Sequence, residues 1–277
     1  MKVKAFLALG IVIIAASSCR RPSAGNGTYL AVTSTWIEAA ARDVSGRQMP
    51  IYRLAPPTQD PRRLRLKKDH IGPLGGCGQL IRFDFQNEID ARLSEAMPRG
   101  PLITQIHPQA SLCIPSTYED CCRQVAEHLC ATGRLDRQTA NNRLREIHAR
   151  LQALAAEVLK SISDAGLADA PVVCSKDQET FVRWLGMDVA AVFDTFGDRP
   201  ADEFMKALQE GGPRLIVVES CGAASIRDEI NSARLPIAFI NSQPAMTPQQ
   251  RDFDSLLRAN VAAIIEAAAP RQGEKKQ

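Results

Sequence analysis

Four side chains that can ligate metals lie where apolar runs end in the second half of the chain. Cys174 and Glu219 each end such a run, and Asp177 and Cys221 follow them by three and two residues. Zinc accepts thiolate and carboxylate donors, and manganese favours oxygen. Parallel strands of open α/β sheets place ligands beyond their carboxyl ends, so Asp177, Glu219 and Cys174 are candidate metal ligands. Cysteine is often buried, which favours the alternative that Cys174 and Cys221 are small core residues or disulfide partners.

The strongest charge run in the chain is basic and comprises Arg62, Arg63, Arg65, Lys67 and Lys68. A run of this kind is ordinarily a solvated face. Placed in a ligand cleft, it would repel a bare divalent cation and attract an anion. The basic run therefore leaves an anionic ligand or a metal chelate open as alternatives to a metal ion.

The sequence lacks the common catalytic motifs. There is no G-x-S-x-G elbow, no P-loop, no H-E-x-x-H and no dinucleotide fingerprint. The glycine-rich segment 72–78 has neither the lysine nor the spacing of a phosphate loop and is typical of a turn. No motif ties a histidine or an acid to Cys77 within that segment. We therefore expect a protein that is not an enzyme and has no catalytic cofactor.

The N-terminus has the composition of an export signal. Lys2 and Lys4 precede an apolar stretch at 5–16, which is shorter than the roughly 20 residues of a membrane-spanning helix. The small residues that follow, Ala-Ser-Ser at 16–18, lead directly into Cys19 and are similar to a bacterial lipobox. An ordinary signal peptide cleaved nearby, with an unmodified Cys19, is the alternative.

The lipobox reading assigns the chain to the cell envelope. Residues 1–18 are expected to be a lipoprotein signal peptide, Cys19 the lipid anchor and residues 19–28 a polar tether. The folded part would then be extracytoplasmic and held to a membrane by lipid. The polar tail at 271–277 is expected to be loose.

Composition limits what the rest of the chain can be. A hydrophobic content of 45% is ample for a packed core in one large domain or two lobes. The formal net charge of +3 is too small to indicate nucleic acid as a partner. Of the eight cysteines, seven follow Cys19. Because seven is odd, at least one thiol stays free if the others pair within the chain, and the pairing cannot be read.

Strands alternate with helices in two similar halves. Expected strands lie at 29–35, 51–54, 80–85, 102–106, 172–174, 189–193, 215–219 and 237–240. Between the halves, apolar residues step by three or four along a helix expected from Asp136 to Asp164. The pattern predicts an α/β fold class with two similar α/β lobes, mostly parallel sheets and one long joining backbone helix. The expected domains are an N-terminal lobe (29–134), a linking helix (135–165) and a C-terminal lobe (166–270), whose last helix begins at Thr247-Pro248.

Several segments carry a resemblance to a known family. They are the opening strand and helix from Tyr29, LAPPTQDP at 54–61, LIRFDFQNEIDARL at 80–93, VVCSKDQETFVRWLG at 172–186 and the closing helix at 260–267. Behind a lipobox, this arrangement resembles the zinc- and manganese-binding lipoproteins that feed ABC importers. The resemblance implies a metal cargo held between the lobes, with an ABC transporter permease as partner and a rigid helix that limits lobe closure.

The resemblance also places the family's metal ligands on this sequence, with departures. The first position falls on Arg62, the second near Ala110 with His107 as the nearest imidazole, the third on Asp177 and the fourth near Asn241. Arginine has no lone pair to offer a cation. We therefore expect a lipid-anchored solute-binding component of an ABC importer that binds zinc or manganese with a degenerate ligand set. The alternative is a divergent relative that binds an anion or a metal chelate, or that has no cargo and acts through protein interactions.

Overall fold

The structure, a computed structural model, describes residues 29–46, 49–57, 59–245 and 250–269. The expected signal peptide at 1–18, lipid anchor at Cys19, tether at 19–28 and tail at 271–277 lie outside these residues. Within the described ranges, no helix combines the length and apolar character needed to cross a membrane.

The first lobe is a four-stranded parallel sheet between helices. Its strands are β1 (Tyr29–Val32), β2 (Ile51–Arg53), β3 (Cys77–Phe83) and β4 (Leu102–Ile106), and its helices are α1 (Thr35–Ser45), α2 (Lys68–Leu74), α3 (Glu88–Ala96) and α4 (Pro115–Ala131). The strand order is β2-β1-β3-β4. Every residue of β3 is buried, because packed elements on both faces of a parallel sheet exclude water from it.

One long helix, α5 (Arg137–Asp164), connects the two lobes. Asp136 caps its start by accepting a hydrogen bond from the backbone N–H of Thr139. Its 28 residues correspond to a length of about 42 Å. Its buried residues include Ile147, Leu151, Leu154, Val158 and Ile162. Their three- and four-residue spacing makes one apolar stripe, by which α5 packs on α1, α4 and the last helix of the chain.

The second lobe repeats the plan of the first. Its strands are β5 (Pro171–Ser175), β6 (Asp188–Phe193), β7 (Leu215–Glu219) and β8 (Ile237–Ile240), and its helices are α6 (Glu179–Trp184), α7 (Pro200–Gly211), α8 (Arg227–Ser232) and α9 (Phe253–Ala268). The strand order is β6-β5-β7-β8, with every pairing parallel. The expected fold class is therefore confirmed: two parallel α/β lobes joined by one long helix.

Two local expectations differ from the structure. The last helix begins at Phe253, capped by Asp252, whose carboxylate accepts from the backbone N–H of Ser255; the expected cap at Thr247-Pro248 lies outside the described residues. Part of the glycine-rich segment at 72–78 is helical, since α2 extends to Leu74.

A continuous core runs through both lobes and the connecting helix. Buried side chains of β3, α5 and β7, such as Ile81, Leu154 and Val217, belong to the same hydrophobic cluster. Across the lobe boundary, the ring of Tyr118 in α4 stacks on that of Phe253 in α9, with centroids 4.3 Å apart. Because packed interiors resist deformation, this shared core holds the two sheets in a fixed relation on the side of α5.

Candidate functional site

Arg62 lies on a short 3₁₀ turn (Pro61–Arg63) that follows β2 and faces the second lobe. The Asp60 carboxylate caps the turn by accepting from the backbone N–H of Arg62 at 2.9 Å. The buried side-chain amide of Gln86 donates to the carbonyl of Pro61 at 2.7 Å. The backbone that carries Arg62 is thus fixed from both sides.

The guanidinium of Arg62 contacts carboxylates of both lobes. Its Nη1 lies 2.6 Å from Oδ1 of Asp177, its Nε lies 3.1 Å from Oδ1 of Asp60, and its Nη2 lies 3.9 Å from Oε2 of Glu219. The carbon Cζ also lies 4.7 Å from the ring centroid of Phe196, a cation–π arrangement. Burial alone would lower the pKa of Arg62, yet the hydrogen bonds to Asp177 and Asp60 raise it above its ordinary value.

Asp177 and Glu219 converge because β5 and β7 are neighbouring parallel strands. Asp177 lies on the 3₁₀ turn (Lys176–Gln178) that follows β5, and Glu219 is the last residue of β7. Glu219 is buried and accepts hydrogen bonds from Oγ of Ser242 at 2.6 Å and from Nε2 of Gln178 at 3.3 Å. Side chains that can ligate a metal are expected to meet at the ends of neighbouring strands, and Asp177 and Glu219 do so.

A small cavity of about 180 Å³ lies beside these carboxylates, between the lobes. It is lined by Pro57, Gln59, Asp60, Glu219, Ser220, Cys221, Asn241, Ser242 and Gln243. Cys221 lines this cavity together with Glu219. Burial raises the pKa of Cys221, and the negative charge of Glu219 raises it further. The described lining thus includes two carboxylates and a thiol, without a basic side chain.

Asn241 follows β8 and is held mainly through its backbone. Its N–H donates to Oδ1 of Asn260 at 3.0 Å, and its carbonyl accepts from Nδ2 of Asn260 at 2.7 Å. The thiol of Cys113, just before α4, donates to the same carbonyl at 3.3 Å. Cys113 was not singled out from the sequence as a cleft residue, and no local motif marks the contact across 128 residues of chain.

Two sequence candidates lie away from this cluster. Cys174 is fully buried in the core, in register with Val217, two positions before Glu219. Burial raises its pKa to about 12, so the expectation of Cys174 as a cleft ligand is corrected to a core thiol. His107 is exposed, and its Nδ1 lies 3.2 Å from Oδ2 of Asp84.

The cysteines and the possible metal donors of the described residues bear on whether a metal site is already formed. The cysteines at 77, 113, 121, 122, 130, 174 and 221 all have free thiols. In the same part of the chain, no group of three histidine, cysteine, aspartate or glutamate side chains is arranged to hold a metal ion. Arg62 lies among the carboxylates that would have to converge, so a cation can be coordinated there only after the guanidinium moves.

Comparison with solved structures places this fold among solute-binding proteins. The periplasmic zinc-binding protein TroA of Treponema pallidum has 13% identity and a TM-score of 0.66, over 88% of this chain and 100% of its own. AdcAII of Streptococcus pneumoniae has 10% identity and a TM-score of 0.69, over 88% and 99%. FpvC of Pseudomonas aeruginosa, a solute-binding protein solved with Mn²⁺, has 13% identity and a TM-score of 0.68, over 87% and 98%.

These likenesses establish the fold. No protein-family model matches the chain, and no curated protein sequence matches it significantly. The chain therefore has the fold seen in the periplasmic zinc-binding protein TroA and in the solute-binding protein FpvC. The assignment of a cargo depends on the residues of its own cleft.

Proposed function

We propose that the protein is the solute-binding component of an ABC importer of the zinc and manganese type, with a divalent cation as cargo. The observation that carries this proposal is the meeting of three carboxylates from both lobes around one guanidinium. Asp60 comes from the first lobe, and Asp177 and Glu219 come from the second. The same fold holds zinc in TroA, named as zinc-binding, and was solved with Mn²⁺ in FpvC.

The charge of this cluster favours a cation. Three carboxylates against one guanidinium leave a formal charge of −2. The adjoining cavity adds no basic lining residue among those described. Such a concentration of negative charge at a partly buried position attracts a divalent cation and repels an anion. The anionic cargo that the basic run suggested is therefore disfavoured at this cluster.

Arg62 is an internal competitor for that cation. Its side chain is 39% exposed, and partly exposed ion pairs contribute only about 0.2–1 kcal/mol each. Divalent metals bound by several protein donors gain far more, about 10–16 kcal/mol for structural zinc. The guanidinium can therefore be displaced toward solvent, which frees Asp60, Asp177 and Glu219 for the cargo.

A second candidate is a protein without cargo, in which Arg62 permanently supplies the positive charge. The direct contacts of its guanidinium with Asp60 and Asp177 favour this candidate, because they already link the lobes. In that case the protein acts through its surface as an interaction lipoprotein. The two candidates differ in whether the wild-type protein takes up metal.

The location and the domain division are part of the proposal. The export signal at 1–18 and the lipobox cysteine Cys19 support an extracytoplasmic, lipid-anchored protein that delivers its cargo to a permease. We divide the folded part into lobes at 29–134 and 166–270 around the helix at 135–165. Incorporation of labelled fatty acid, abolished by Cys19→Ser, tests the anchor. Incorporation that persists in the variant refutes it.

Calorimetric titration of the metal-free protein with zinc and with manganese tests the function. We expect one equivalent to bind, and Asp177→Asn to weaken binding by about tenfold or more. The matched control is Asp164→Asn, which removes a carboxylate from an exposed ion pair with Lys160 at the far end of α5. Absence of binding in the wild type refutes the cation cargo and favours the second candidate. Thermal stabilisation by phosphate or sulfate instead would indicate an anion.

A further inference from the structure

The ring of Phe196 contacts two arginines of the other lobe. Phe196 lies between β6 and α7 in the second lobe. Its ring centroid is 4.7 Å from Cζ of Arg62 and 4.5 Å from Cζ of Arg63, and both arginines belong to the 3₁₀ turn of the first lobe. Both distances are within the roughly 6 Å at which an aromatic face attracts a cation. One side chain of the second lobe therefore contacts two guanidinium groups of the first.

The loop that carries Phe196 is fixed by hydrogen bonds. The backbone N–H of Phe196 donates to Oδ1 of Asp194 at 2.8 Å, and the N–H of Asp194 donates to Oε2 of Glu203 in α7 at 2.9 Å. The carbonyl of Thr195 accepts from Oγ of Ser225 at 2.8 Å. Because these bonds already order the backbone, presenting the ring to the arginines costs little further backbone entropy.

Arg62 makes its ring contact and its carboxylate contacts at the same time. Its N–H groups donate to Asp177 at 2.6 Å and to Asp60 at 3.1 Å. A guanidinium donates hydrogen bonds in its own plane and stacks through its face, so the aromatic contact does not compete with the ion pairs. Removing the ring of Phe196 would therefore leave the ion pairs in place and hold the guanidinium less firmly.

We propose that Phe196 is a positioning residue that holds Arg62 at Asp177 and so makes the guanidinium harder to displace. This inference rests on the proposed function, in which the cargo takes the place of the guanidinium among the carboxylates. Phe196 is not among the described residues that line the cavity, so it acts on the cargo through Arg62 and not by direct contact. A cation–π contact at a partly exposed position changes an equilibrium constant about two- to fivefold.

A double-mutant cycle between Phe196 and Arg62 tests the positioning role. Calorimetry measures zinc affinity for the metal-free wild type, Phe196→Leu, Arg62→Gln and the double variant. We expect Phe196→Leu to tighten zinc binding about two- to fivefold in the wild-type background and to have no effect in the Arg62→Gln background. Phe196→Tyr keeps the ring and should bind zinc as the wild type does. The matched control, Phe239→Leu, removes an exposed ring in β8 and should leave zinc affinity unchanged.

Urea unfolding of the same four proteins without metal tests the contact independently of any cargo. Phe196→Leu should raise the equilibrium constant for unfolding, and this effect should be about two- to fivefold smaller in the Arg62→Gln background. The contact of the ring with Arg63 is present in both backgrounds and cancels in the comparison. Circular dichroism checks that each variant is folded.

The outcomes separate the two proposals. A wild type that binds neither zinc nor manganese refutes the proposed function, and coupling between Phe196 and Arg62 in urea would then support a positioning role at the contact between the lobes alone. Zinc binding that Phe196→Leu changes equally in both backgrounds, or not at all, refutes control of the cargo by Phe196 and leaves the cation cargo standing. Additive effects in urea refute the positioning role whether or not metal binds.

Discussion

Replacing Arg62 with glutamine removes the internal cation and should tighten cargo binding. The formal charge of the three-carboxylate cluster with Arg62 changes from −2 to −3, because among the described residues the Arg62 guanidinium is the cation that pairs with Asp60, Asp177 and Glu219. In the wild type, an arriving metal must first break the contacts of Arg62 with Asp177 and Asp60. Since the side chain is 39% exposed, solvent screening limits each contact to about 0.2–1 kcal/mol, or about 0.4–2 kcal/mol for the pair.

That free energy corresponds to a gain in affinity of about two- to thirtyfold for Arg62→Gln. Zinc titrations of the metal-free proteins by calorimetry, or by competition with a chelator when binding is tight, measure the gain. The advantage of the variant should shrink at high salt, because the ion pairs of Arg62 are partly exposed and are screened.

Arg65→Gln is the matched control, because it removes a neighbouring arginine of the basic run whose partner is the exposed carboxylate of Glu88 at 3.4 Å. It should leave zinc affinity at the wild-type level. Equal or weaker binding in Arg62→Gln would show that the guanidinium does not compete with the cargo. Equal gains in the two variants would show only a general effect of net charge.

Three further predictions concern the framework around the cleft. Asp252→Ala should cost about 1 kcal/mol at neutral pH by removing the cap of α9. Burial alone would raise the pKa of Asp252, but the hydrogen bonds from Ser255 lower it below its ordinary value of 3.8. In urea unfolding, the difference in free energy between wild type and Asp252→Ala should therefore persist above that pH and vanish as pH falls through the folded-state pKa of Asp252. Arg150→Met should cost about 1–3 kcal/mol in the same assay, because it leaves the partly buried carboxylates of Asp43 and Asp254 without their cation; an unchanged midpoint would contradict this. Gly222→Ala should lower the thermal midpoint because the new Cβ overlaps Thr195, whereas Gly72→Ala, which meets no atom within 4 Å, should not.

The architecture was predictable because it depends on local periodicity. Apolar residues at three- and four-residue spacing predict the helix that connects the lobes, and its buried stripe includes Leu151 and Val158. Short β-branched runs between helices predict the parallel strands, as at 215–219. Such patterns express which faces of an element are buried, and burial is the largest favourable contribution to folding.

The cleft was predictable only in part, because its contacts join distant segments. The rule that ligands lie beyond the carboxyl ends of parallel strands correctly brings Asp177 and Glu219 together. It does not indicate which side chain fills the space between them. The contact of Arg62 with Asp177 spans 115 positions of sequence, and no local pattern encodes a pairing at that separation. The sequence could not distinguish Cys174 from a cleft residue, because its burial depends on its position one residue inside the end of β5, where it pairs with Val217.

The core shared by the two sheets and α5 has a consequence for how a membrane partner would recognise the protein. Because these elements pack as one body around residues such as Leu154, loading cannot be signalled by a wide swing of the lobes. The ion pair of Arg62 with Asp177 links the lobes across the cleft, so under the proposed function cargo entry would alter this contact more than the outline of the protein. A permease would then have to sense the displaced arginine at the mouth of the cleft, and the direction of one side chain would distinguish a full carrier from an empty one.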